Sequence, residues 1–307
     1  MTIYSDGIMT DKPRVSAIIC FLNAGAFIEQ AIESVFAQTF KSWELLLVDD
    51  GSTDSSTRIA RRYSVDHPGA VRYLEHSGHR NRGLPASRNL GIASANGDLV
   101  AFLDSDDVWL PQKLTEQVAI LDSHPQVSLA FGATQYWYSW EDQGQNSQSD
   151  QIEMPGVPTG RAYEPPALLN PLLADKGCAA SMSNCIFRRE IISRIGGFEE
   201  QFSADLAMYE DQAFLTKVYL NLPVFVSHEC WDRYRIHPNQ LCAKVIRGRK
   251  KPSVTAFFLR WAANYLTSRG SLDAETRALI GRRLWPNEHP LLSRLVHAGG
   301  RFTRRLR

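Results

Sequence analysis

The chain has 307 residues, 44% hydrophobic and 22% charged, with a formal net charge of +1. These proportions describe a globular protein with room for a large core, and so even a balance excludes a globally basic nucleic-acid binder. Five cysteines (Cys20, Cys178, Cys185, Cys230, Cys242) are an odd number without CxxC spacing, which argues against a disulfide framework or zinc site and fits a reducing compartment.

The opening segment MTIYSDGIMTDKPR holds no apolar run of signal-peptide length, so a cytoplasmic protein is expected. No stretch approaches the roughly 18 apolar residues that span a bilayer. The first element is VSAIICF, Val15 to Phe21, a β-branched apolar run that reads as a buried strand. Apolar positions Phe27, Ile28, Ala31, Ile32, Val35 and Phe36 then recur at helical spacing. WELLLVDD is a second buried strand ending on Asp49 and Asp50. Asp54 and the neighbouring serines are N-cap candidates for a helix through Tyr63. VRYLEH reads as a third strand. LPASRNLGIASANG is a helix with Pro85 in its first turn and Gly97 near its end. DLVAFLD is the fourth strand.

Strands alternating with helices predict an α/β fold with a mainly parallel central sheet flanked by helices. Ligands of such sheets bind beyond the carboxyl ends of the strands. Both acidic clusters, Asp49-Asp50 and Asp104 to Asp107, fall at such ends. From Ser139 to Gly160 the chain is polar, with glycine and proline, and reads as a mobile loop. MYEDQAFLTKVYL and VTAFFLRWAANYL read as helices, and the tail from Pro290 to Arg307 mixes arginines with apolar residues.

Asp104-Ser105-Asp106-Asp107 places three carboxylates where like charges repel. Two readings are open: a solvated acidic turn, or oxygen ligands for Mg2+ or Mn2+, which commonly take one or two carboxylates plus substrate phosphates. By itself D-x-D favours the turn. Its company shifts the balance. The segment from Val15 through VDDGSTD, with ASRNLGIASANGDLVAFLDSDDVW after it, closely resembles glycosyltransferase family 2. GGFEEQF, YEDQAF and YRIHPNQL extend the resemblance to about Leu241.

That resemblance implies the GT-A (Rossmann-like) fold and inverting transfer of a sugar from a nucleotide donor, UDP-linked before other nucleotides. It implies a tail over 1–12, a GT-A domain over 13–245, and a helical extension with a basic tail over 246–307. The domain would divide into a nucleotide-binding half over 13–113 and an acceptor half over 114–245. Asp50 would hold the donor base, since a carboxylate accepts from a uracil imide N–H, with Asp49 beside it. The backbone from Phe21 to Asn23 would form the first nucleotide loop, with Cys20 where relatives commonly carry proline. Arg88 would reach the nucleotide side, and Asp104 with Ser105 the ribose or the metal's water shell. Asp106 would be the direct ligand of Mn2+ or Mg2+, with Asp104 assisting, Asp107 beside them, and His237 completing the metal sphere or bonding a phosphate. Asp211 would be the general base and Glu210 its neighbour, the two roles being exchangeable. Ser183 and Asn184 would face the acceptor, while Arg233 and Arg235 would lie near the diphosphate.

Three other classes fit these residues less well. A nucleotidyltransferase would carry a glycine-rich basic loop after its first strand, and an NAD-dependent oxidoreductase G-x-G-x-x-G; CFLNAGAF is neither. A non-catalytic sugar- or nucleotide-binding relative would lack the base or metal carboxylates, yet Asp104, Asp106, Glu210 and Asp211 are all present. Without membrane helices or a Q-x-x-R-W motif, single transfers to a glycan or lipid-linked saccharide are expected, in polysaccharide assembly. The basic tail suggests peripheral contact with the inner face of the membrane.

Overall fold

VSAIICF has no polar face to offer water, so it is stable only in the middle of a sheet. In the structure, a computed structural model describing residues 12–141 and 149–289, all seven of its residues are buried in β1 (Val15–Phe21). The described residues continue with α1 (Ile28–Phe36), β2 (Trp43–Asp49), α2 (Ser56–Asp66), β3 (Val71–Glu75), α3 (Leu84–Ser94) and β4 (Leu99–Phe102). The alternation expected from the sequence is therefore present. After it come β5 (Val108–Trp109), α4 (Lys113–Ser123), β6 (Leu129–Trp137), β7 (Gln151–Glu153) and β8 (Arg161–Tyr163). The chain goes on through α5 (Leu169–Leu173), β9 (Ile186–Arg188), α6 (Ile191–Ile195), α7 (Glu210–Asn221) and β10 (Val224–Arg235). Three helices end the described region: α8 (Leu241–Arg247), α9 (Lys251–Ser268) and α10 (Ala274–Glu288).

The sheet runs β3-β2-β1-β4-β9-β6-β10-β5, with β7 on β6 and β8 on β10. Strands β3, β2, β1 and β4 are mutually parallel. Beyond β4 the sheet is mixed, because β9 pairs antiparallel with both β4 and β6. From β1 the chain steps outward to β2 and β3, then returns to the other side of β1 for β4. This reversal opens a crevice at the carboxyl ends of β1 and β4, where such sheets bind ligands.

Residue alternation sorts the core. Ile18, Cys20, Leu46 and Val48 face Ile92, Phe214, Phe258 and Leu259 in one cluster. Ala17, Ile19, Leu45 and Leu47 face Ile28, Ile32, Ile59 and Leu114 in the other. Helices α7 and α9 thus share one apolar layer with the sheet. No helix among the described residues is long and apolar enough to cross a membrane.

Two details differ from expectation. The polar stretch from Ser139 to Gly160 is not loop throughout: β7 pairs antiparallel with β6 over Thr134 to Tyr136. Its three residues are all exposed, so no buried face marked it in the sequence. Residues 142–148 of that stretch, and the basic tail from Pro290, lie outside the described residues. Of the N-cap candidates, Ser55 holds the position ahead of α2, without a side-chain cap bond, and Asp54 stands one residue further out. Its Oδ1 accepts from Ser56 N at 2.9 Å, while Oδ2 accepts from Gly25 N at 2.8 Å and fixes the β1–α1 loop.

Helix α3 lies close to β1 because Gly91 has no side chain. A Cβ there would stand 2.6 Å from Ile18 Cγ2. Gly281 in α10 has nothing within 4 Å of the same position. Helix propensity alone favours alanine at both by about 1 kcal/mol. Chemical denaturation should instead separate them: Gly281→Ala gains roughly that amount, whereas Gly91→Ala loses about 1–3 kcal/mol through overpacking. Equal gains at both sites would mean that α3 does not ride this close on the sheet.

Candidate active site

A cavity of about 810 Å³ opens beyond β1 and β4, within the range of pockets that enclose small molecules. Its walls include Phe21 and Leu22 from β1 and its loop, Asp50 after β2, Arg88 of α3, and Asp104, Ser105 and Asp106 after β4. Across from them stand Glu210 and Asp211, the first residues of α7. Eight of the residues singled out in the sequence thus meet at one site.

Asp50 is held in a turn that needs Gly51. That glycine has φ +85°, and a Cβ on it would lie 2.7 Å from Asn81 N. The close approach brings the next loop within reach, so the Asp50 carboxylate accepts from the backbone N–H of Arg82 at 2.7 Å and of Gly83 at 3.0 Å. Asp49 points elsewhere. It is fully buried and accepts from Ser52 N at 2.7 Å, Thr57 Oγ1 at 2.5 Å and Tyr73 OH at 3.1 Å. Alternation along β2 puts consecutive aspartates on opposite faces, so Asp49 braces the loop and does not line the cavity.

The three carboxylates of the DSDD loop each have a different partner. Asp104 accepts from Arg88 Nη2 at 2.7 Å. Asp106 lies 3.0 Å from His237 Nε2, and its carbonyl accepts from Arg235 Nε at 2.6 Å. Asp107 is fully buried, accepting from Ser183 Oγ at 2.7 Å and Arg235 N at 3.0 Å. Loss of water and the nearby Asp106 and Asp104 charges raise the Asp107 carboxyl well above its ordinary range.

Arg88 is the centre of this arrangement. Its side chain is buried, and its guanidinium binds Asp104 on one side and Glu210 on the other. The rings of Phe102 and Phe198 lie 5.3 and 5.2 Å from the cation. Burial acts to lower its pKa, but the Glu210 and Asp104 charges outweigh that and raise it. Arg88 does line the cavity, yet its donors are committed to two protein carboxylates. Glu210 is 2% exposed; burial lifts it to about 8 against the pull of Arg88. Its second oxygen, Oε2, is buried with no partner among the described residues. Asp211 is lifted to about 6, again by burial opposed by Arg88.

Other expectations are corrected by position. Ser183 and Asn184 are fully buried and absent from the cavity wall. Ser183 links Asp107 to the Asp104 amide, which donates to it at 3.0 Å. Asn184 donates to Ala133 O at 2.8 Å and Asp232 Oδ1 at 2.6 Å. Asn23 has φ +53° and accepts from Thr53 N at 2.7 Å, so it shapes the β1–α1 loop from outside the cavity. His237 is absent from the cavity wall, with its Nε2 3.0 Å from Asp106 Oδ2. Arg235 is buried, with its guanidinium within 5.0 Å of the Phe27, Trp137 and Trp140 ring centres; it braces the Asp106 backbone. Arg233 stacks on Trp137 and donates to Gln135 Oε1 at 3.2 Å.

Residues that the sequence did not flag also line the cavity. Tyr136 and Tyr234 are register partners on β6 and β10, their rings 5.4 Å apart. Glu153 comes from the edge strand β7. The only signal for the tyrosines is strand pairing across nearly a hundred residues.

The donor set for a divalent cation is partial. Among the described residues no group of three His, Cys, Asp or Glu side chains is placed to hold a metal. Asp106 and His237 do offer adjacent oxygen and nitrogen donors, and Asp104 lines the same wall. Such a set suits an ion that completes its shell with substrate phosphates and water.

Removing the Arg88 charge would strand two carboxylates. Arg88→Met should cost about 3–5 kcal/mol in denaturant unfolding. Glu210→Gln in the same chain should recover part of that loss, with a coupling above about 1 kcal/mol. Strictly additive effects would show that the two side chains do not pair.

Comparison with known proteins agrees with this architecture. TuaG of Bacillus subtilis (strain 168), assigned to teichuronic acid biosynthesis, is 30% identical over 241 residues, 78% of this chain and 86% of TuaG. Other curated relatives match over shorter stretches, 37% identical over 116 residues in one and over 110 in another, so that the matches span 41% and 33% of their lengths. The crystal structure of S. aureus TarS 1-349 in complex with UDP-GlcNAc superposes with TM-score 0.61 at 21% identity, covering 91% of this chain and 73% of that one. Mannosyltransferase PcManGT from Pyrobaculum calidifontis, in complex with GDP-Man and Mn2+, gives TM-score 0.52 at 20% identity, covering 89% and 80%. The fold is GT-A. The glycosyl transferase family 2 model matches residues 16–196; the chain belongs to glycosyltransferase family 2.

Proposed function

We propose that the protein transfers a sugar from a nucleotide-diphosphate donor, UDP-linked, to an acceptor hydroxyl with inversion at the anomeric carbon, in the assembly of a polysaccharide or related glycan. One observation carries the reading. Asp211 and the Asp104–Asp106 loop line the same cavity from opposite elements, α7 and the end of β4. Displacement with inversion needs a base on one side of the reacting carbon and a stabilised leaving group on the other. The UDP-GlcNAc in TarS and the GDP-Man with Mn2+ in PcManGT support a nucleotide-sugar donor and a divalent ion.

In this scheme Asp50 and the backbone at Phe21 and Leu22 receive the base and ribose. Asp106 and His237, with Asp104 nearby, would hold Mn2+ or Mg2+. When bound, the ion neutralises charge on the departing diphosphate. Asp211 takes the proton of the acceptor hydroxyl as its oxygen bonds to the anomeric carbon and the carbon–phosphate oxygen bond breaks, releasing UDP. Geometry favours Asp211 of the two carboxylates: Arg88 engages Glu210 through one oxygen, whereas Asp211 has no cationic partner among the described residues and lines the cavity. Glu210 fixes the start of the helix while Asp211 does the chemistry. Loss of these carboxylates would mark a binding-only relative, and their convergence in one cavity favours catalysis.

Asp211→Asn should cut kcat by at least about a hundredfold and leave the donor dissociation constant unchanged. Its pH profile has a definite sign. The base works deprotonated, so wild-type kcat/KM should fall as pH drops through about 6. The folded state holds this proton more tightly than the unfolded chain, so the charged form is a destabilising feature above that pH. Asp211→Asn should therefore melt no lower than wild type at pH 7. A variant with near-normal turnover would transfer the base role to Glu210.

Donor class can be read by thermal unfolding with UDP, GDP, dTDP and CMP, each with and without Mn2+. A ligand at a hundred times its dissociation constant should raise the midpoint by about 5 °C. UDP with Mn2+ is expected to give the largest shift, and Asp106→Ala to abolish it. Equal responses with and without the ion would remove the cation from the donor site.

A further inference from the structure

The chain carries a formal charge of +1, yet its charges are unevenly placed. From Arg233 to Leu272 there are nine lysines and arginines and no carboxylate. Five of the nine, Lys244, Arg247, Arg249, Lys250 and Lys251, fall within eight positions at the end of α8 and the turn into α9, and all five are exposed. Ile246, in their midst, is 53% exposed. Lys250 pairs with Asp205 at 2.6 Å and Arg247 donates to the Pro238 carbonyl. Among the described residues, the side chains of Lys244, Arg249 and Lys251 have no hydrogen-bond or ion-pair partner. Nothing in the proposed transfer chemistry uses this surface.

Its position is informative. Leu241 and Cys242, at the start of α8, line the cavity. Seven residues of helix cover about 10 Å, so the basic surface begins within that distance of the cavity wall. Two further exposed apolar side chains, Leu22 and Met154, also lie on that wall.

We infer that the segment from Lys244 to Lys251 is a docking surface for an anionic phospholipid bilayer, seated so that the cavity opens beside the headgroups. A cluster of four to eight basic residues is the charge pattern that anionic headgroups attract, and here five are gathered on the end of α8, the following turn and the first residue of α9. Ile246 argues for a bilayer over a dissolved polyanion. A polyanion needs only the cations, whereas a bilayer interface accepts an apolar side chain between them. The surface is distinct from the tail beyond Pro290, and its membrane contact does not depend on the transfer reaction.

The test is co-sedimentation of the full chain with vesicles of phosphatidylcholine, alone or with about a third phosphatidylglycerol, at low and high NaCl. Binding is expected only to the anionic vesicles, and high salt should release it as the Debye length shrinks. The triple variant Lys244→Gln/Arg249→Gln/Lys251→Gln should bind roughly a hundredfold more weakly. Ile246→Ser should bind about fivefold more weakly. Both variants should keep the wild-type melting midpoint and vesicle-free donor hydrolysis. Absence of wild-type binding to anionic vesicles overturns the inference. So does a triple variant that binds like wild type, which would leave the tail as the contact. Retention on polyphosphate without vesicle binding, indifferent to Ile246→Ser, would replace the bilayer with a soluble polyanion.

Discussion

A single buried guanidinium ties the two halves of this protein together. Arg88 comes from α3, in the parallel part of the sheet; its partners come from the end of β4 and the start of α7. Taking Arg88 and Glu210 out of water is costly, and the cost is offset by their pairing, by Asp104 on the other side of the guanidinium and by the two aromatic rings beside it. The arrangement holds the Asp104 and Glu210 carboxylates on one guanidinium at the cavity wall.

The crowding of Asp104, Asp106 and Asp107 then has a physical explanation. Three carboxylates that should repel are separated by partner: Arg88 for the first, His237 for the second, and Ser183 with the Arg235 amide for the third. Of the three, Asp106 faces the cavity without a lysine or arginine partner among the described residues. Arg235, held among Phe27, Trp137 and Trp140, secures the backbone beneath it. The loop is therefore tied down along its backbone and uneven in its charge.

Buried carboxylates at the start of α7 show the same tension between stability and use. Neither Glu210 nor Asp211 gains from being dehydrated, and Glu210 Oε2 has no partner among the described residues. A helix start tolerates them because its free N–H groups and dipole favour negative charge. The apolar side of α7, with Phe214 and Val218 in the core shared with the sheet and α9, anchors the helix that carries this strain.

Local pattern alone determined the parallel half of the fold, since β1 and β2 are apolar along their whole length and the intervening helices repeat at helical spacing. It also determined that acidic residues stand at strand ends, and the family motifs named Asp50, Asp104, Asp106 and the Glu210-Asp211 pair. Tertiary structure decided which of them face the cavity. Asp49 and Asp50 are adjacent in sequence, and only the pleat sends one inward to brace a loop and the other to the site. Ser183 and Asn184 look like polar contacts in sequence, but they are consumed by bonds to residues some fifty to eighty positions away. Arg88 carries no local sign that it will bridge rather than bind ligand. Tyr136 and Tyr234 become neighbours only when β6 and β10 pair. Periodicity and turn chemistry act over a few residues, so they are written in the sequence; charge partnership and cavity walls depend on strands meeting across the chain, so they exist only once it has folded.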